Sequence, residues 1–199
     1  IPRFRNFNEK PKGDYLRGFG YQGGGMRAKW NRWIDGFGAD FKKELTSFGP
    51  WGLSVGGFGE CLPYENNRIS LSNQKTDKWG LPLVVADAEF QQNELNMRDD
   101  MMNDAGEMLE AVGAKKIRTF NREPSIGLGT HEMGTARMGS SAKESVLNKH
   151  NQVWGAENGF CIDGSAMVSA GCQNPSLTYM ALTARAANYA VKELKKGNL

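Results

Sequence analysis

Histidine is scarce in this chain, two residues in 199, and one of them stands where chemistry is easily built. His131 lies in Gly-Leu-Gly-Thr-His-Glu-Met-Gly-Thr-Ala-Arg-Met-Gly, residues 127–139, among small residues, two Met and an Arg. A histidine so placed can open a metal site, line a phosphate loop or act as a general base. An imidazole ordinarily titrates near ~6.5, so a neutral base is available at neutral pH. The zinc signature HExxH begins at His131 but fails at its fifth position, which is Thr135. Only His150 remains as a second imidazole, and Cys61, Cys161 and Cys172 form no CxxC pair. A His-rich metal centre therefore lacks its ligands, and the odd number of cysteines predicts buried free thiols rather than a disulfide framework.

Two further clusters carry polar groups at short spacing. Asp163-Gly164-Ser165 closes the apolar run Gly-Phe-Cys-Ile as a turn after a short strand. Asn174-Pro175-Ser176 precedes a long amphipathic stretch, with Asn174 suited to cap a helix and Pro175 to its first position. The segment Gly18–Gly23, Gly-Phe-Gly-Tyr-Gln-Gly, formally matches the dinucleotide fingerprint GxGxxG. That fingerprint needs an apolar strand before it and a helix after it. Here Asn-Glu-Lys-Pro-Lys-Gly precedes and two more glycines follow, so the match is read as accidental.

The elements that must hold these residues are legible in outline. Thirteen of the 25 glycines fall in the first 59 residues, many alternating with aromatics, which suits twisted strands packed close to another backbone. Residues 68–72 (Arg-Ile-Ser-Leu-Ser) and 81–90 (Leu-Pro-Leu-Val-Val-Ala-Asp-Ala-Glu-Phe) predict an antiparallel pair joined by a polar turn. Leu95, Met102, Ala105, Leu109 and Val112 recur at helical spacing over 93–112, closed by Gly113. The methionines of that stretch, Met97, Met101, Met102 and Met108, read as core packing. Residues 115–121 and 159–167 are short strand candidates. From Pro175 to Lys195 the stripe Leu177, Met180, Ala181, Ala184, Ala187 and Val191 predicts the last helix, with lysines suited to its C-terminal end.

Bulk properties exclude several classes. A net charge of +3 calls for neither nucleic acid nor an anionic membrane, and no apolar run is long enough to span a bilayer. The stretch 26–43 mixes Arg27, Lys29, Arg32 and Lys42 with Trp30, Trp33 and Phe37, but Asp35 and Asp40 make it a partly solvated helical face. Nucleic-acid binding there would show steep salt dependence.

The joint order of His-Glu-Met-Gly-Thr-Ala-Arg-Met-Gly (131–139), the Asp163-Gly164-Ser165 turn and Cys-Gln-Asn-Pro-Ser (172–176) resembles the C-terminal part of the glucose–methanol–choline (GMC) family of FAD-dependent oxidoreductases. The earlier segment Glu-Cys-Leu-Pro-Tyr-Glu-Asn-Asn-Arg-Ile-Ser-Leu-Ser (60–72) fits the same family. Within it, the resemblance is to bacterial sugar and polyol dehydrogenase flavoprotein subunits and the pyranose-oxidase-like branch.

The resemblance implies that His131 is the base that takes the substrate hydroxyl proton while hydride passes to flavin N5. Asn174 would then hydrogen-bond and orient the substrate oxygen, or cap the last helix. It places Asp163, Gly164, Ser165, Pro175 and Ser176 beside FAD, with the N-terminal end of the last helix directed at the flavin. The implied fold is α+β. A largely antiparallel sheet backed by helices forms a substrate-binding domain over residues 1–150. The segment 151–199 supplies a strand and helix that complete an FAD domain.

The main part of that FAD domain, with its phosphate-binding loop, is not found among these residues, so the chain reads as a fragment expected to be inactive and not to retain FAD. A sugar or polyol is the implied substrate. The implied partners are the missing N-terminal FAD domain and an electron acceptor (a cytochrome or quinone, through a protein or small subunit, or oxygen). The bacterial periplasm is the compartment that family analogy suggests. From another class, the alternative is a carbohydrate-binding module of the same fold that does no redox chemistry.

Overall fold

The computed structural model describes residues 1–3, 5–6, 13–28, 34–121, 126–127 and 129–199. Strands β1 (Phe19–Arg27) and β2 (Trp51–Gly59) form an antiparallel ribbon in unbroken register, from Phe19 opposite Gly59 to Arg27 opposite Trp51. The connection between them carries α1 (Gly38–Thr46). Strands β3 (Arg68–Thr76) and β4 (Pro82–Asp87) form a second antiparallel ribbon, followed by α2 (Gln92–Ala111). After a long irregular region come a single 3-10 turn, Gly164–Ala166, and α3 (Ser176–Lys195). The architecture is thus α+β, with antiparallel sheets backed by helices, as the sequence predicts.

The expected pairing of residues 68–72 with 81–90 is present, but β3 runs on to Thr76. Asp77 explains the extension: its carboxylate accepts from the N–H groups of Trp79 and Leu81 and so tightens the connection to residues 77–81. From Phe19 onward the GFGYQG match is part of β1 and is strand, not a phosphate loop. Residues 115–121 form no strand. Of the Trp-rich stretch, residues 29–33 lie outside those described, and α1 begins only at Gly38.

The core lies between α2 and the first ribbon. Tyr15, Phe19, Tyr21 and Met97 are buried, with Val55, Met101, Ala105 and Met108 packed against them. The Phe19 and Tyr21 rings meet edge-on at 5.5 Å, a favoured aromatic geometry. Tyr21 satisfies its buried hydroxyl by donating to the Met101 carbonyl at 2.7 Å. Contact this close depends on glycine: a Cβ on Gly57 would fall 2.0 Å from the Met101 sulfur. Gly57 and Gly59 make this approach possible, and of the methionines read as packing Met97, Met101 and Met108 join the core while Met102 does not.

Helix α2 is fixed at its start by Glu94, only 3% exposed. One carboxylate oxygen accepts from the Gln91 N–H, and the other from the Leu62 N–H and the Tyr64 hydroxyl. The loop after β2 is thereby tied to the helix. At the far end, Gly113 adopts φ +76° and its N–H returns to Glu110 O, the expected C-terminal stop. No helix among the described residues is long and apolar enough to cross a membrane.

Candidate active site

The segment carrying His131 is a loop laid against the turn that carries Asp163–Ser165. Ala136 N–H donates to Ser165 O at 3.1 Å, and Met138 N–H to Ala166 O at 2.9 Å. The same loop is held from behind by residues 145–153: Gly139 N–H bonds Leu147 O, and Leu147 N–H bonds Arg137 O. Leu147 is wholly buried, and Ala166 with it, so the backbone of this region sits on a small core of its own.

Glycine at 134 is required twice over. Its φ is +93°, and a Cβ there would meet the Val168 carbonyl oxygen at 3.2 Å. Immediately before His131, Thr130 has φ +64°, an uncommon conformation for a β-branched residue. Backbone strain of this kind clusters at functional sites, where it presets a side chain. His131 itself is exposed, and the neighbouring Glu132 carboxylate accepts the Gly129 N–H and closes the loop.

The turn is internally satisfied. The Asp163 carboxylate accepts from the Ser165 N–H at 2.8 Å and the Ser165 hydroxyl at 2.5 Å, and these bonds hold its pKa below the usual carboxylate range. The terminal strand expected here is reduced to a bridge between Phe160 and Gln152 that runs into the 3-10 turn. A strand needs a continuous ladder of partners, and only this bridge is present among the described residues. With the Asp163 and Ser165 side chains committed to each other, what this turn can offer a ligand is backbone.

Helix α3 packs on the same turn. Thr183 Oγ1 lies 2.7 Å from both Ile162 O and Tyr179 O, and Tyr179 and Met133 both lie over Gly164. The helix begins at Ser176, one residue later than the sequence suggests. Pro175, buried and near-helical at φ −89°, ψ −3°, is the residue before it, and no side chain caps this end. Asn174 is exposed and its side chain is not spent on a cap. Among the described residues no carbonyl takes the N–H groups of Ser176 or Leu177, so the positive end of α3 keeps donors to spare. The His131 loop and α3 therefore both rest on the Asp163 turn, α3 through Tyr179 and Thr183. His131 and Asn174 share no hydrogen bond among the described residues.

All three cysteines are free, but only Cys172 is buried. No metal-binding cluster of His, Cys, Asp or Glu occurs among the described residues.

Residues 63–183 match the family model described as GMC oxidoreductase, a span that includes every predicted site residue. The chain belongs to the GMC oxidoreductase family. It is 36% identical over 140 residues to the 2-methyl-1,2-propanediol dehydrogenase of Mycolicibacterium austroafricanum, which covers 69% of this chain and 25% of that protein. It is 26% identical over 163 residues to the fructose dehydrogenase large subunit of Gluconobacter japonicus, 80% of this chain and 29% of that one. Against the gluconate 2-dehydrogenase flavoprotein of Pantoea cypripedii it is 26% identical over 153 residues, 74% and 25% respectively. The chain thus spans about a quarter of the length of these GMC relatives.

Sequence reasoning missed Glu60, Ser169 and Cys172 as a structural junction. Glu60 is 8% exposed and receives the Ser169 hydroxyl at 2.7 Å, while Cys172 Sγ donates to Gly18 O at 3.3 Å.

Proposed function

We propose that this chain is the substrate-binding part, residues 1–150, and the C-terminal segment, 151–199, of an FAD-dependent enzyme that oxidises a CH–OH group to a carbonyl. The bound flavin supplies the hydride acceptor. The chain's own residues bind, orient and deprotonate. His131 takes the proton of the substrate hydroxyl, and Asn174 hydrogen-bonds the same oxygen and aims its C–H bond.

The observation that carries this reading is the convergence of the His131 loop and α3 on the Asp163–Ser165 turn. The residues suit a flavin in chemical terms. Unpaired N–H groups at the start of α3 favour an anionic ring edge, and a turn whose side chains are already paired leaves backbone to face the cofactor. Asp163, Gly164, Ser165, Pro175 and Ser176 are the residues that would line it. The relatives are named for a diol, a sugar and a sugar acid, so a sugar or polyol is the substrate class.

The test is made on the full-length gene product. It should purify yellow, and anaerobic addition of a polyol or sugar should bleach the flavin band. A colourless protein that binds sugar would instead establish the non-catalytic binding module.

A further inference from the structure

Between the sheet side of the molecule and the segment that leads to Asn174 stands one nearly buried carboxylate. Glu60 follows β2, and its N–H donates to Gly18 O at 3.2 Å. Its Oε2 accepts from Arg3 Nη1 at 3.2 Å, and its Oε1 lies 3.5 Å from Arg17 Nε. That same Oε1 accepts the Ser169 hydroxyl at 2.7 Å, across 109 residues of chain. Three residues on, Cys172 Sγ reaches Gly18 O, so the carbonyl of Gly18 receives both Glu60 and Cys172. The segment 169–172 is therefore pinned at both ends to one corner of the first ribbon. Just before it, the Val168 carbonyl packs against Gly134 of the His131 loop. Just after it come Asn174 and the buried Pro175, whose ring leaves the backbone little freedom.

We propose that Glu60 is a positioning residue: through Ser169 it sets where Asn174 stands relative to the substrate-side ribbon and to the His131 loop. The inference rests on the reading of Asn174 as the group that orients the substrate oxygen. A charged acceptor suits the task because its bond to a hydroxyl is stronger and shorter than a neutral one. The two arginines keep that charge compensated where it is removed from water.

Removal of Glu60 would strand both arginines and confuse function with folding, so the test removes only the other partner. In the full-length flavoprotein, Ser169→Ala, Ser169→Thr, Asn174→Ala and the double variant Ser169→Ala/Asn174→Ala are compared by rapid-mixing flavin reduction. Ser169→Ala is expected to slow reduction about tenfold, less than the ~10²-fold that a misplacement of about 1 Å costs. Ser169→Thr, which restores the hydroxyl, should return the rate to near wild type. On the Asn174→Ala background, Ser169→Ala should add no further loss, because both act through one group. Wild-type rates in Ser169→Ala beside a slow Asn174→Ala overturn the positioning role while leaving Asn174 intact. Additive losses in the double variant overturn it as well. A wild-type rate in Asn174→Ala overturns the reading of Asn174, and the proposal falls with it.

Discussion

The imidazole of His150 lies flat on the phenol ring of Tyr189, centroids 3.9 Å apart and planes 2° from parallel. This stack joins the loop after Leu147 to the middle of α3, with Phe160 edge-on to the same tyrosine. His150 Nδ1 is buried without a hydrogen-bond partner among the described residues. Burial, then the nearby Lys149 and Arg185, hold its pKa below the ordinary imidazole value, against a smaller opposite pull from Glu193.

A histidine whose folded pKa is lowered binds its proton more readily in the unfolded state. Its contribution to stability is therefore complete above the unfolded value of ~6.5 and is lost as the pH falls through and below it. Acidification from about pH 7.5 to 5.5 should lower the melting temperature of wild type more than that of His150→Phe, which keeps the stack without a titrating group. Equal losses in the two proteins would show that the stack carries no charge penalty.

Replacement of His131 by Ala in the full-length protein should slow flavin reduction by about 10²–10⁴-fold, the usual worth of a positioned base. The side chain is exposed and makes no hydrogen bond among the described residues, and the loop rests on backbone bonds from Ala136 and Met138, so the melting temperature should hardly move. Rapid-mixing reduction at the wild-type rate in a folded variant would remove His131 from the mechanism.

For Asn174 the structure separates two roles that the sequence left in competition. Among the described residues no side chain caps α3, so Asn174→Ala should not incur the ~1 kcal/mol that a lost N-cap typically costs. The rate of flavin reduction should fall and the melting temperature should stay within about 1 °C. A drop in melting temperature with an unchanged rate would return Asn174 to the status of a cap.

These expectations reflect what can be read along a chain. Local signals carried well: α2 spans Gln92–Ala111 against an expected 93–112, and the β3–β4 pair follows from alternation and a short turn. The motif order 131–139, 163–165, 172–176 pointed to the family that the match over residues 63–183 shows, because each piece is contiguous. Non-local pairing was invisible. Nothing in Phe19–Arg27 names Trp51–Gly59 as its partner, since glycine-rich strands carry few side chains to specify register. Glu60 was missed for the same reason, because its partner Ser169 is 109 residues away. The strand expected at 159–167 failed because apolar alternation describes a strand's faces and not whether a neighbour exists to pair with it.

Gly134→Ala should damage the site through its backbone. A φ of +93° costs an L-residue roughly 1–2 kcal/mol, and the new methyl would press on the Val168 carbonyl at 3.2 Å. Relief requires the His131 loop and the 167–168 segment to part, which strains the bonds from Ala136 and Met138 to the Asp163 turn. Both a lower melting temperature and slower flavin reduction should follow. A variant with unchanged stability would mean that the loop tolerates the shift and that its conformation is not what presets His131.

The 199 residues by themselves are expected to bind FAD weakly or not at all. A dinucleotide cofactor is held chiefly at its pyrophosphate, by a glycine-rich turn opening a helix. The GFGYQG sequence cannot serve, because all of it after Gly18 is β1 strand paired with β2. On the proposed reading, the Asp163 turn and the first N–H groups of α3 would offer the flavin a few donors at one end of a long ligand. The outer face of α3 is consistent with a role inside a larger assembly. Leu177 is 80% exposed, and Met180, Val191 and Leu194 are exposed beside it along the helix. Desalting after incubation with FAD should leave the chain colourless, and supplying a separately expressed FAD-domain half of the same protein should restore the flavin band. Retention of stoichiometric FAD by the 199 residues alone would place the main cofactor contacts within them, and the division between residues 1–150 and 151–199 would have to be redrawn.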